Sequence, residues 1–143
     1  MGATGVESML VMEAFGKAVI LEPYLASIVL GGTALRHGGS STQKSDILPG
    51  VADGSVKLAV AHGERQARHD LTDVLTTAKK DGGDWVLEGA KSVVLHGDCA
   101  DKLVVSARTS GDRSDANGVT LFLVDAGQEG VARRGYQIGR AHV

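Results

Sequence analysis

Cysteine is almost missing from this chain: Cys99 stands alone among 143 residues. A single thiol excludes an intramolecular disulfide and fits a reducing compartment. A cytoplasmic protein is therefore expected, with Cys99 as a structural residue. Aromatic residues are scarce too, at 3%, so any core must be built from Val, Leu, Ala and Ile. No long apolar run exists. The longest candidate, residues 18–30, is broken by Glu22, Pro23 and Ser27 and is too short to span a bilayer. The first residues carry no basic cluster of the kind that opens a signal peptide. Charge of neither sign dominates, and the net value is −2. That balance gives no reason to expect nucleic acid or an anionic membrane as partner.

What is plentiful is glycine, twenty residues in all, which predicts numerous turns. Apolar residues make up 43%, and the length suffices for one domain or for pieces of two. The first third reads as helix. Thr4 and Glu7 have capping-box spacing, and Val11, Ala14, Phe15 and Ala18 follow at helical intervals. Pro23 suits the first turn of a second helix with Leu25, Ile28, Val29 and Leu35 on its apolar face. Gly31 and Gly32 cost such a helix about 1 kcal/mol each relative to alanine. They are tolerable if another helix packs closely there. Gly38 and Gly39 end it. Ser40 and Gln43 form a second capping box, opening a short helix expected to stop near Pro49.

From about Ser55 the period shortens toward two and turn signals become frequent, which reads as antiparallel β-structure. Strands are expected over 57–61, 75–80, 85–88, 92–95, 103–108, 119–124 and 131–136. Asp81-Gly82-Gly83-Asp84 is a strong hairpin turn. Residues 110–117 are polar and are expected to form a mobile surface loop. The last six residues, IGRAHV over 138–143, match the translation of a common sequencing adapter and are expected to be a non-native tail.

His62, Glu64, His69, Asp70 and His96 are of metal-ligating type, but no metal-site spacing joins them. Glu64 and Asp70 are an equally weak acid–base pair, because polar turns are commonly acidic and no burial is expected to raise their pKa. No Gly-rich dinucleotide fingerprint or P-loop is present.

Two segments stand out, KLAVAHGERQARHD over 57–70 and DWVLEGAKSVVLHG over 84–97. Each runs an apolar strand into a polar or glycine-containing turn. Together they resemble the middle β-domain of the acyl-CoA dehydrogenases, a flavoprotein family. In that family the first turn usually carries Thr-Glu-Pro-Gly-Ala-Gly-Ser-Asp, and the second strand usually ends in Trp-Ile-Thr. Other pieces keep the family's order. QKSDILPGVADGS over 43–55 is similar to its link into the β-domain. WVLEGAKSVV over 85–94 resembles its Tyr-Ile-Ile-Asn-Gly-Gln-Lys-Trp-Trp-Ile. LVVSART over 103–109 and VTLFLVDAGQEGV over 119–131 resemble its later strands. The string from His62 to Leu71 further resembles a branch described as the small subunit of pimeloyl-CoA dehydrogenases.

The resemblance implies an α+β fold: the C-terminal part of an α-helical domain over 1–55, then an incomplete antiparallel β-barrel, a truncated middle domain, over 56–137. It implies FAD as cofactor, acyl-CoA as substrate, and a homo- or hetero-oligomer of dehydrogenase subunits without membrane insertion. The chain is then expected to be a fragment of an FAD-dependent acyl-CoA dehydrogenase. It would carry flavin and acyl-CoA contacts, no metal and no catalytic base, and be inactive alone. The alternatives are a non-catalytic structural subunit of a heteromeric dehydrogenase, or a small-molecule-binding β module.

Carried over residue by residue, the flavin contacts fall on Val60, Ala61, His62, Gly63, Arg68 and His69, and on Val93, Val94 and Leu95. Backbone groups of Ala61, His62 and Gly63 would face the flavin's pyrimidine edge. His69 replaces a serine near the pyrophosphate and the substrate, so it is also the candidate substrate contact. Arg65 and Arg68 replace a proline and a glycine, and read equally as phosphate-binding groups or as solvated arginines. Gly63 and Leu95 each stand where the family has threonine, so two hydroxyls are missing. Val93 stands where the family has tryptophan, and the losses at Gly63, Val93 and Leu95 support the non-catalytic alternative.

Overall fold

A computed structural model describes residues 5–136. Thr4, the expected cap of the first helix, and residues 138–143, the expected tail, lie outside the described residues. Helix α1 (Gly5–Ala18) carries Glu7 in its first turn and Lys17 in its last, the polarity a helix dipole favours. It buries no residue, and Val11 and Phe15 of its expected apolar face are only half-buried. After Pro23 the second helical segment forms, but in a wider form than expected. Leu25–Gly32 is π-helical and runs directly into α2 (Thr33–Gly38). Of the two glycines expected to admit a helix, Gly31 admits a strand instead, since a Cβ on it would lie 2.5 Å from Leu58 Cβ, whereas a Cβ on Gly32 would lie 3.9 Å from Val51 Cγ1 of the helix that follows. Buried Ser27 accepts the Leu58 N–H at 2.9 Å, satisfying the first donor of strand β1 (Leu58–Ala61).

The Ser40–Gln43 capping box is formed. Its helix, α3 (Ser41–Asp53), does not stop near Pro49 but runs on to Gly54, whose φ of +84° ends it. Ile47 and Val51 lie on either side of that proline. Both join Leu35 and Leu58 in one core cluster, and their burial outweighs the single hydrogen bond the proline removes.

Strands β2 (Thr77–Asp81) and β3 (Asp84–Glu88) form the expected hairpin, with Asp81 opposite Asp84 and Gly82 at φ +60°. Strand β4 (Lys102–Arg108) is the centre of the sheet. Strand β5 (Val119–Asp125) covers one of its edges, antiparallel over its whole length. The other edge is shared: β1 runs parallel beside residues 102–105, and β2 joins at Arg108. The order is β1-β4-β2-β3 with β5 on β4, and the sheet does not close. This is the incomplete barrel expected, with parallel pairing at β1–β4 and β2–β4 alongside the antiparallel pairs. Between β1 and β2 the chain leaves the sheet for residues 62–76. It thereby opens the edge of β4 at Ser106 and Ala107, both completely buried.

Two expected strands are not formed. Residues 92–94 have no regular structure and a turn follows over 95–99, with Val93 and His96 both at φ +54°. Residues 131–136 have no strand partner among the described residues, and Arg133 ties them to the carbonyls of Gly97, Asp98 and Ala100. The polar segment 110–117 folds over Arg108. That buried guanidinium donates to six backbone carbonyls, those of Thr72, Val74, Ser110, Arg113, Asp115 and Asn117.

Candidate functional site

The excursion over 62–76 is organised by one acid. Glu64 is not in an exposed polar turn, as its surroundings in sequence suggest; it is 4% exposed. A buried carboxylate needs partners, and this one has five. Its Oε1 accepts from Lys91 Nζ (2.6 Å), Thr76 Oγ1 (2.7 Å) and Thr76 N (3.0 Å). Its Oε2 accepts from Gln66 Nε2 (2.7 Å) and Leu75 N (2.8 Å). Because Leu75 and Thr76 give their N–H groups to the acid, β2 begins at Thr77 and not at 75. Burial pushes the Glu64 carboxyl up, but the bonds from Lys91, Thr76 and Gln66 more than offset it and hold its pKa at about 2. Burial likewise pulls the Lys91 ammonium below the usual lysine range, and the pairing with Glu64 restores part of that.

Lys91 is the second organiser. Its side chain is 8% exposed, and its three protons meet three acceptors: Glu64 Oε1, Ser106 Oγ (3.0 Å) and His62 O (3.3 Å). One ammonium thus ties the turn, the centre of β4 and the end of β1 to the second segment. The main chain makes the same junction, with Ser92 N–H on Gly63 O at 2.8 Å. A Cβ on Gly63 would lie 3.1 Å from Ser92 O, closer than side chains ordinarily approach, so glycine lets the segments meet.

The candidate residues fall around this junction. Val60 and Ala61 lie in β1, half-buried and buried respectively. His62 is half-buried with Nδ1 2.9 Å from Ser106 Oγ. Gly63 is exposed. Val94 packs on the core cluster of Ala59, Ala100, Leu103 and Ala126, whereas Val93 is 83% exposed and Leu95 50%. Arg68 and His69 are exposed further along the turn, Arg68 at φ +53°. Their side chains, and that of Arg65, make no hydrogen bond or ion pair among the described residues. The structure thus joins 60–63 to 91–95 and leaves Arg68 and His69 to one side. A groove of about 330 Å³ lies along the junction, lined by residues 64–66, 75–76 and 89–92. Among the described residues no three His, Cys, Asp or Glu side chains gather as metal ligands. Cys99 is exposed.

The order of these segments is shared with known proteins. The family model described as acyl-CoA dehydrogenase, middle domain, matches residues 59–141. This chain belongs to the acyl-CoA dehydrogenase family. The mitochondrial long-chain specific acyl-CoA dehydrogenase of Sus scrofa is 37% identical over 115 residues, covering 80% of this chain and 24% of that protein. The acyl-CoA dehydrogenase FadE12 of Mycobacterium tuberculosis is 35% identical over 126 residues, covering 86% of this chain and 32% of that protein. A glutaryl-CoA dehydrogenase from Mycobacterium smegmatis, solved in complex with FADH2, superposes with a TM-score of 0.64 at 30% identity over 71% of this chain and 25% of that one. The chain therefore spans between a quarter and a third of the length of these relatives.

Within this family member, sequence reasoning found the two segments but missed what joins them. The sequence alone marks no role for Lys91, Thr76, Ser106 or Arg108. One signal was available: Lys91 is a lone charge between Ala90 and the apolar residues 93–95. A lone charge in such a run implies a buried partner.

Proposed function

We propose that this chain forms the flavin-facing part of an FAD-dependent acyl-CoA dehydrogenase. Residues 1–55 are the end of its N-terminal helical domain, and residues 56–137 belong to its middle β-domain. The junction carries the reading. Ser92 N–H bonds Gly63 O, Lys91 binds both segments, and Val93 and Leu95 stay exposed beside them. Val93 is β-branched yet left-handed, a conformation that costs about 1–2 kcal/mol. Strain of this kind clusters at ligand sites.

The residues suit a flavin in kind. Val93 and Leu95 offer apolar contact for a ring face. The main chain of Ala61, His62 and Gly63 is pinned and suits a ring edge. Arg65 and Arg68 carry guanidinium groups that are unpaired among the described residues and suited to a pyrophosphate. When bound, FAD supplies the hydride acceptor for α,β-dehydrogenation of an acyl-CoA thioester. In this reading exposed His69 contacts the substrate. Glu64 holds the turn and is not the base: donors occupy both its oxygens, and the bonds that hold its pKa at about 2 make it a weak proton acceptor. No residue of 60–96 is assigned that role, so the base comes from elsewhere in the enzyme, a homo- or hetero-oligomer in the cytoplasm. The non-catalytic subunit remains the second reading, favoured by the missing hydroxyls at Gly63 and Leu95.

Titration of the purified chain with FAD, followed by flavin fluorescence and absorbance, tests the proposal. Saturable binding is expected. Leu95→Ala should weaken it modestly through packing, and Leu95→Thr should change the flavin spectrum. No binding by either the native chain or Leu95→Thr rejects the flavin reading and favours the structural subunit. Dye reduction with acyl-CoAs and added FAD should give no turnover by this chain alone. Turnover abolished by Glu64→Gln would overturn the role given to Glu64.

A further inference from the structure

We propose that His62 is a locked hydrogen-bond donor: Lys91 and Ser106 fix its imidazole as the neutral Nε2–H tautomer, and that N–H donates to an acceptor atom of the planar ligand along the turn. The ligand half rests on the flavin reading above; the tautomer half does not.

The argument is a count of protons. An ammonium only donates, and a hydroxyl has one proton and two lone pairs. Lys91 Nζ, 3.0 Å away, occupies one lone pair of Ser106 Oγ. Ser106 is completely buried, and among the described residues its hydroxyl has one other partner, His62 Nδ1 at 2.9 Å. The hydroxyl proton needs an acceptor, because stranding it in the interior is costly. His62 Nδ1 is the acceptor within reach. Nδ1 therefore carries no proton, and the proton of the neutral ring sits on Nε2. In the opposite tautomer two donors converge on Ser106 Oγ and its own proton has no partner.

Nε2 makes no hydrogen bond among the described residues, and none of their buried side-chain nitrogens or oxygens lacks a partner. Nε2 is therefore open to solvent. It stands one residue before Gly63, which has no side chain to donate. His62 thus offers an N–H beside the position where a threonine would offer a hydroxyl. A fixed outward donor accepts a carbonyl oxygen or an unprotonated ring nitrogen and disfavours another donor. Ser106 and Lys91 act through His62 and are positioning residues.

Long-range proton–nitrogen correlation spectra of the histidine-labelled full chain read the tautomer directly, with His62→Gln assigning the signal. The native chain should show His62 as a single Nε2–H form. Ser106→Ala should release it to a mixture, and Ser106→Thr, which keeps the hydroxyl, should restore it. An Nδ1–H form or a mixture in the native chain overturns the proposal. Added FAD should shift the Nε2–H resonance saturably, and His62→Phe should weaken FAD binding about tenfold, the size of one net hydrogen bond. No shift at His62 overturns the donor role. In that case, movement of the Gly63 and Ser92 amide signals would show that the flavin reading survives, and silence at all three would reject it as well.

Discussion

Lys91 and Glu64 are each tolerable in the interior only because the other is present. Removing one partner of a buried ion pair commonly costs about 3–5 kcal/mol. Lys91→Met should therefore destabilise the chain by about that amount in urea unfolding. Adding Glu64→Gln should recover part of the loss, because the uncompensated charge goes with it. A single-variant cost below about 1 kcal/mol would mean that water reaches the pair. The same site sets the acid limit. The Glu64 carboxyl is held at about 2 against an ordinary 4.5, so the unfolded chain takes up the proton first. Its contribution, on the order of 3 kcal/mol, is fully present above about pH 4.5 and is lost as pH falls toward 2. Hydrogen bonds lower Asp70, Asp73 and Asp101 in the same direction. Stability should hold from neutrality to about pH 5 and then decline, with a flatter acid limb in Glu64→Gln. None of this is legible from the turn itself. Glu64 sits among Arg65, Gln66 and Arg68 and looks solvated, and its partner lies 27 residues away.

At the scale of elements, local signals were reliable and distant ones were not. The Ser40 capping box and the Asp81–Asp84 hairpin were read correctly because three or four residues decide each of them. Residues 92–95 and 131–136 look like strands by composition, but distant contacts decide them. Val93 is held at φ +54° beside the Ser92–Gly63 and Lys91 bonds, and Arg133 ties the later segment to the carbonyls of Gly97, Asp98 and Ala100. Pro49 misled for the opposite reason, since packing of Ile47 and Val51 carries α3 past it. The π-helical segment leaves no such trace, because Gly31 answers to Leu58 in a strand that follows it. This makes Gly31 a sharp test. Gly31→Ala places a Cβ 2.5 Å from Leu58 Cβ and should cost about 1–3 kcal/mol by overpacking. Gly16→Ala in α1, where an added Cβ meets nothing, should be neutral or stabilising by up to about 1 kcal/mol. Equal effects at the two sites would show that the π-helical segment does not press on β1.

The described residues leave many large apolar side chains exposed, and where such side chains are contiguous they mark an interaction surface. α1 buries nothing, while Met9, Leu10, Val19, Leu21 and Leu30 are all substantially exposed around it and the π-helical segment. The sheet adds a second hazard. Among the described residues β3 and β5 each pair along one edge only, and an open edge recruits other strands. The core between these surfaces is small-sided, with Ala59, Ala61, Ala78, Ala100, Ala107 and Ala126 prominent in it. Such side chains bury little area each, so the margin against association is thin. The expressed chain should therefore associate as its concentration rises, seen as a concentration-dependent mass in size-exclusion chromatography with light scattering. Leu10→Glu and Leu21→Glu together should reduce that mass without shifting the unfolding midpoint, because neither side chain belongs to the core. A sharp monomer peak at every concentration, with one cooperative unfolding transition, would show that these surfaces need no cover.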